Sequence, residues 1–517
     1  MRVSLRVVQL GAIAVVLAVT TFFTYELDRF FVPKELVLHA TAVLAALFAI
    51  RTLGEATATT IDRLLAGYVA LGTLSAALAT NRWLGMRALA ISASSVLLFW
   101  VARRLRDAGL ARPLLAALAI AVVAVAVTSL LQTYGLATTL FSENRSPGGT
   151  LGNRNFIAHV AAFGLPLVLL AALGAQRRFA LGAAGAAIAT ASLVLTRSRA
   201  AWLAFAAVVV VFLIAVIASP PLRRDGRTWR RFFATIVFVA AGVAAALFLP
   251  NALRWRSRNP YLQSVKHVTD YESGSGRGRL VQYEQSLRMA LHHPLLGVGP
   301  GNWAVDYPKF AARHDPSLSD GDPGMTTNPW PSSDWIAWIA ERGVAAFVLI
   351  ALAFLGIAAS GVRQLFAAQT ADEGLAAAAL LATVAGACIT GLFDAVLLLA
   401  LPAFLVWTAF GALAAPPPTR SPLPTLVIVA IVAIAALGAA RSAAQLAAMH
   451  IYETRGDRAS LTHAAQIDPG NYRLQLRLAR MGGRARCEHA RAAHELYPNA
   501  GAVKEILLPA CREKVPR

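Results

Sequence analysis

Long uncharged stretches alternate along this chain with short segments rich in arginine. Leu114–Leu131 (LLAALAIAVVAVAVTSLL) has no ionisable residue and approaches the roughly 20 apolar residues that a helix needs to cross a bilayer. Other stretches repeat the pattern. It predicts about thirteen membrane helices, with twelve to fourteen as the range. Their centres fall near Val15, Val43, Leu71, Ser94, Val122, Pro166, Ala187, Val209, Ala240, Val348, Thr383, Phe404 and Val432. The opening MRVSLR lacks a small-residue cleavage site after it, so the first stretch reads as a retained helix. The expected class is an all-α, polytopic integral membrane protein. Its parts are N-terminal membrane helices (1–250), a large polar loop (251–334), C-terminal membrane helices (335–445) and a polar tail (446–517).

Composition agrees with the pattern. The chain of 517 residues is 57% hydrophobic and 15% charged, with a mean hydropathy of +0.58, well above the apolar share of soluble domains. Its net charge of +21 raises nucleic acid as a partner. The arginines, however, sit mainly in short loops, where they set topology and meet anionic membrane lipids. No groove-reading module or stacking platform accompanies them, so no nucleic-acid partner is expected.

Those loops also set the orientation. With the N-terminus inside, the cytoplasmic loops outweigh the opposite ones in Arg and Lys by about two to one. PPLRRDGRTWRR alone holds five arginines, and Arg177, Arg178 and Arg420 count on the same side. The loop Phe141–Asn155, the turn TRSR (Thr196–Arg199), the long loop and the tail then lie outside, in the periplasm if the membrane is a bacterial inner membrane. There the glycines of LLGVGPGNW (Leu295–Trp303) meet no nucleotide. Without a preceding strand or a following GK[ST] they read as a tight return.

Polar residues gather at the outer helix ends (His39, His159, Asp394) and are scarce at midpoints. That suits chemistry at the interface, on a lipid-linked head group. A lipid-linked glycan transporter or flippase would place ionisable groups and broken helices at mid-membrane in two matching halves. Arg197 and Arg199 lie on the side that the topology rule depletes of arginine. A diphosphate would give them a reason, because the guanidinium fork grips two phosphate oxygens and stays charged. The bland reading is arginines that reach to the head groups. In the long loop, Leu280, Tyr283, Leu287 and Leu291 mark an amphipathic helix from Arg279 to Leu291, which Pro294 ends. Arg277 or Arg279 could face the same anion as Arg199, or simply coat a helix lying on the membrane.

TLGNRNFIAH, LTRSRAAW, GRLVQYEQSLRMALHHPLLGVGPGNW and SSDWIAWIAERGVAA together resemble the successive signatures of the O-antigen ligase/polymerase superfamily, over roughly Phe141 to Leu355. The resemblance implies a GT-C-like membrane glycosyltransferase. It would move a glycan from undecaprenyl pyrophosphate to a hydroxyl on a lipid, glycan or protein acceptor. It implies that Arg199 and Arg279 hold the pyrophosphate and stabilise it as leaving group, with Asn153 and Asn155 shaping the donor mouth. No metal or other cofactor is expected. Ligase members carry a His just before the helix that closes the loop, where this chain has Ser332 and Ser333. Asp334 could serve as base, or cap the following helix, and His314 could reach in from the loop. Asp320-Gly321-Asp322 reads as a turn rather than a metal-binding pair. A non-catalytic scaffold of a polysaccharide assembly system is a further alternative.

The tail's short helical stretches, ending in DPGN and YPNAG, look like tetratricopeptide-type pairs able to meet other assembly proteins. Cys487 and Cys511 flank the YPNAG hairpin symmetrically and could join in a disulfide or remain core thiols. Cys388 is expected to be plain packing inside a membrane helix.

Overall fold

The computed structural model describes residues 1–54, 58–174, 179–255, 257, 259–266, 274–415 and 422–512. Arg177, Arg178 and Arg420 of the sidedness tally lie outside them. Among the described residues the secondary structure is helical, without a strand. The first membrane helices are α1 (Arg2–Leu17), α2 (Asp28–Gly54), α3 (Thr60–Leu78), α4 (Arg82–Asp107) and α5 (Ala111–Thr133). Next come α6 (Arg154–Gly174), α7 (Phe179–Thr196), α8 (Arg199–Ala218), the short α9 (Pro220–Arg224) and α10 (Gly226–Phe248). The long loop holds α11 (Pro260–Lys266), α12 (Gly274–His292) and α13 (Trp303–Asp306). The apolar pattern resumes with α14 (Asp334–Ala367), α15 (Ala371–Phe393), α16 (Ala400–Leu413) and α17 (Thr425–Thr454). The tail holds α18 (Arg458–Ile467), α19 (Tyr472–Arg480), α20 (Arg486–Leu496) and α21 (Pro509–Arg512).

Every expected centre falls inside one of these helices. Eleven are long and apolar enough to cross a membrane, whereas α1 and α16 are shorter. The helix around Phe404 is short because residues 394–399 run without helix before it starts. Asp334 holds that stretch: its carboxylate accepts the backbone amides of Val396 (2.9 Å) and Leu397 (3.0 Å). The chain there runs as an irregular turn, with two of its amides satisfied by a side chain.

The helix ends form two groups. At one end Arg112 pairs with Asp372, and Arg106 donates to the carbonyl of Ala414. At the other, Asn81 bonds Asn302, Arg197 bonds Ser264 and Tyr25 bonds Asn471. The second group brings together the segments that the charge tally puts on one side, including the long loop and the tail.

The glycine return docks into a break in α14. Gly297, Gly299 and Gly301 all have positive φ, as does Gly343 at the break, a conformation that side chains disfavour. The amides of Val298 and Gly299 donate to the carbonyls of Ala340 and Glu341, and that of Val344 donates to Pro294. The Glu341 carboxylate takes the amides of Gly301 (2.8 Å) and Trp303 (3.2 Å). A Cβ on Gly343 would sit 2.2 Å from the carbonyl oxygen of Leu295. Gly343→Ala is accordingly expected to cost on the order of 2 kcal/mol or more. The fraction that stays monodisperse after heating in detergent should fall sharply, and an unchanged melting profile would contradict this docking.

Two expectations need refinement. The charged groups Glu35, Arg87, Glu341 and Arg342 lie one to three turns inside the outer helix ends, and Arg441 lies deeper in α17. They persist there because they are partnered, as where Arg87 grips Glu35 at 2.7–2.9 Å and meets Asp28 at 2.9 Å. Second, α12 starts at Gly274 rather than Arg279, and Leu280, Leu287 and Leu291 are exposed. Its packed face is instead Gln282, Gln285, Ser286 and Met289, whose polar groups find partners in the loop and the start of α14.

The tail is no free appendage. Asn499 donates to the carbonyl of Val305, Gly501 to that of Pro323, and Asn81 to that of Leu496. Gly470 packs against Trp83 so closely that a Cβ would lie 2.4 Å from its ring. Cys487 and Cys511 are joined in a disulfide, with their Cα atoms 5.7 Å apart. Cys388 lies in α15 as a free thiol.

Candidate functional site

Helix α12 is pinned by one residue. The Tyr283 hydroxyl lies 2.6 Å from the carbonyl of Ser332 and 2.7 Å from that of Leu392, bridging the start of α14 and the end of α15. Gln282 accepts the Ser332 amide at 2.6 Å, and the Ser333 hydroxyl donates to Gly391 at 2.9 Å. Arg279 lies four residues before Tyr283, on the same helical face. Its guanidinium is thereby brought close enough to act electrostatically on Asp394 and His159.

Asp394 and His159 meet from different helices. The His159 Nδ1 is 4.0 Å from the Asp394 Oδ2, and the ring is 1% exposed with neither nitrogen hydrogen-bonded among the described residues. Asp394 lies just past the end of α15 with its side chain 13% exposed. Burial pushes its carboxyl up to about 6, against the pull of Arg279 and Arg145. A carboxyl so placed gains and loses its proton near neutral pH.

Further arginines stand on the neighbouring segments. Arg199 opens α8, and Ala201 in the same turn shares an apolar cluster with Ala158 of α6 and Ile389 of α15. The start of α8 therefore adjoins the helices that carry His159 and Asp394. Arg197 and Arg154 lie 4.7 and 5.2 Å from the centre of the Trp255 ring. Arg197 also donates to Ser264 at 3.0 Å, and burial lowers its pKa. Its backbone is left-handed at φ 56°, a strain of order 1–3 kcal/mol of the kind that collects at working sites. Arg145 acts on both Arg154 and Asp394. Arg154 is repelled by both Arg197 and Arg145, and an anion among the three would relieve them.

The remaining sequence-predicted residues fall into place around this cluster. Asn153 is buried and accepts the Asn155 amide at 3.0 Å, shaping the entry to α6 beside Arg154. Arg277 is exposed on α12, and His314 is exposed on a turn of the loop. Ser333, not Asp334, caps α14. Asp334 is 1% exposed and occupied by the amides of residues 396 and 397, so it serves to anchor the 394–399 loop. Asp320-Gly321-Asp322 lies in bends, as expected of a turn.

In the sequence His159 and Asp394 stand only as polar residues at the outer boundary, with nothing to link them. They are 235 positions apart in the chain, and only the packing of α6 against α15 makes them neighbours.

The profile of a family described as O-Antigen ligase matches residues 184–351. The match takes in Arg197, Arg199, α12 and the glycine return, and ends in α14 beyond the break. TLGNRNFIAH, His159 and Asp394 lie outside it. No curated protein matches the chain.

Proposed function

We propose that this chain, which over residues 184–351 belongs to the O-antigen ligase/polymerase superfamily, is a glycosyltransferase of the bacterial inner membrane that works on the periplasmic face. Its donor is a glycan on undecaprenyl pyrophosphate and its acceptor is a hydroxyl. The observation that carries this reading is that Arg279 and Arg145, from two separate loops, both act on Asp394 at one end of the bundle. The acceptor oxygen attacks the anomeric carbon, the bond from that carbon to the pyrophosphate breaks, and undecaprenyl pyrophosphate leaves with the bonding electrons. Arg199 and Arg279 stabilise the negative charge that grows on the departing diphosphate, helped by Arg197, Arg154 and Arg145. The acceptor proton passes to Asp394, which takes the place of the histidine that ligase members carry before α14. His159 stands 4.0 Å from Asp394, close enough to respond to its charge. The exposed leucines of α12 suit a helix resting in the membrane interface.

Deleting the gene in its native host and weighing the undecaprenyl-linked glycans tests this. Accumulated single repeat units are expected of a polymerase, and accumulated finished chains of a ligase. No accumulation of either would contradict the proposal.

A further inference from the structure

A cavity of about 570 Å³ is lined in part by the 394–399 loop. Leu397 to Ala400 and Trp407 form its floor, α2, α4 and α14 its walls, and tail residues Asp468 to Arg473 with Tyr497 its roof. Phe31 and Trp330 line it. Both also pack against Phe156 of α6, at 5.8 and 6.3 Å between ring centres. That aromatic wall stands between the chamber and the end of α6 that carries Asn153 to Asn155. The volume is within the range of pockets that hold small organic ligands, about 300–1,000 Å³.

The lining has an unusual charge. Glu26, Asp28, Glu35, Asp322, Glu341 and Asp468 face three arginines, Arg87, Arg441 and Arg473, in a chain whose net charge is +21. The chamber is thus an acidic pocket in a basic protein, the reverse of the arginine cluster. A diphosphate would meet net negative charge there, and an acyl chain would strip water from the polar lining without offering it a hydrogen bond. The wall also offers Tyr25, Tyr68, Trp338 and Tyr472, flat apolar faces beside hydrogen-bonding groups. Carboxylates that accept from hydroxyls, donors that answer them and aromatic faces for the apolar side of a ring together match a sugar. Burial raises the pKa of both Asp322 and Asp468, and hydroxyl donors would resupply what they lose in hydration.

We propose that this chamber binds an uncharged saccharide chain and that the C-terminal helices, as its roof, help to select which chain enters. The proposal rests on the transferase reading above, which supplies two sources of such a chain: the acceptor glycan, or the sugars of the donor.

The test uses the full chain in nanodiscs and native mass spectrometry. The probes are neutral oligosaccharides released by mild acid from the host's envelope glycolipids, undecaprenyl pyrophosphate without sugar, and the intact lipid-linked donor. Ser319→Trp fills the chamber from the loop, and Asp322→Asn removes one carboxylate at constant size. The released oligosaccharides are expected to bind the wild type, and each variant to weaken them at least tenfold while holding bare undecaprenyl pyrophosphate like the wild type. Binding of the free oligosaccharide assigns the chamber to the acceptor. A loss confined to the intact donor assigns it to donor sugars. Free oligosaccharide and intact donor that are both held equally by all three proteins, or not held at all, or saccharide displaced by inorganic pyrophosphate, would overturn the chamber and leave the transferase reading intact. Failure of the wild type to hold undecaprenyl pyrophosphate would instead count against the transferase reading.

Discussion

Arg279→Lys is expected to slow glycan transfer about 100-fold, and Arg279→Ala about 1,000-fold, the range seen when one donor to a developing oxyanion is lost. Lysine keeps the charge but not the planar fork that takes two phosphate oxygens at once. The same substitutions at Arg199 should act alike, since its helix starts beside the helices bearing His159 and Asp394. The loss should appear mostly in kcat, because the diphosphate acquires its extra charge only as the bond breaks. Expression and elution in detergent should not change, since Arg279 is half-buried and Tyr283 and Gln282 hold its helix. Lysine variants with wild-type turnover would remove diphosphate recognition from these arginines.

Asp394→Asn is expected to lower turnover by roughly 10²–10⁴, the usual worth of a positioned base. The pH profile separates this from damage to the fold. A base must be ionised to accept the proton, and burial holds the Asp394 carboxyl at about 6 against the pull of Arg279 and Arg145. Wild-type kcat should therefore be level above about pH 7 and fall about tenfold per unit well below 6. The asparagine variant should lose that acid limb while keeping its affinity for undecaprenyl pyrophosphate. An acid limb that survives in the variant would assign the titration to another group.

Much of the architecture was legible because apolar periodicity is local. A run such as Leu114–Leu131 announces its helix without reference to the rest of the chain. Pro294 and the glycines after it likewise marked the end of α12 and the return. Arg199 and Arg279 stand out in the sequence, as arginines on a side that should lack them, and the proposal gives them their role. What stayed hidden depends on partners far along the chain. Asp334 looked like a base or a cap until the 394–399 loop was seen to occupy it. Asp394 needed His159 at its side, from another helix. The acidic chamber combines residues from 25 to 497, and Glu35 and Arg87 cancel each other inside the bundle in a way no hydropathy window registers. The leucine stripe of α12 had the right period but faces outward, because periodicity reveals a face and not what covers it.

The measurement closest to the central claim is a reconstitution of the purified chain with undecaprenyl-pyrophosphate-linked glycan and an acceptor-bearing envelope fraction, following the fate of the lipid. The account predicts undecaprenyl pyrophosphate released in step with glycan newly bonded to the acceptor, and neither product when Arg199 and Arg279 are both replaced. Donor that crosses the bilayer with its glycan still attached would instead make the chain a transporter and contradict the account.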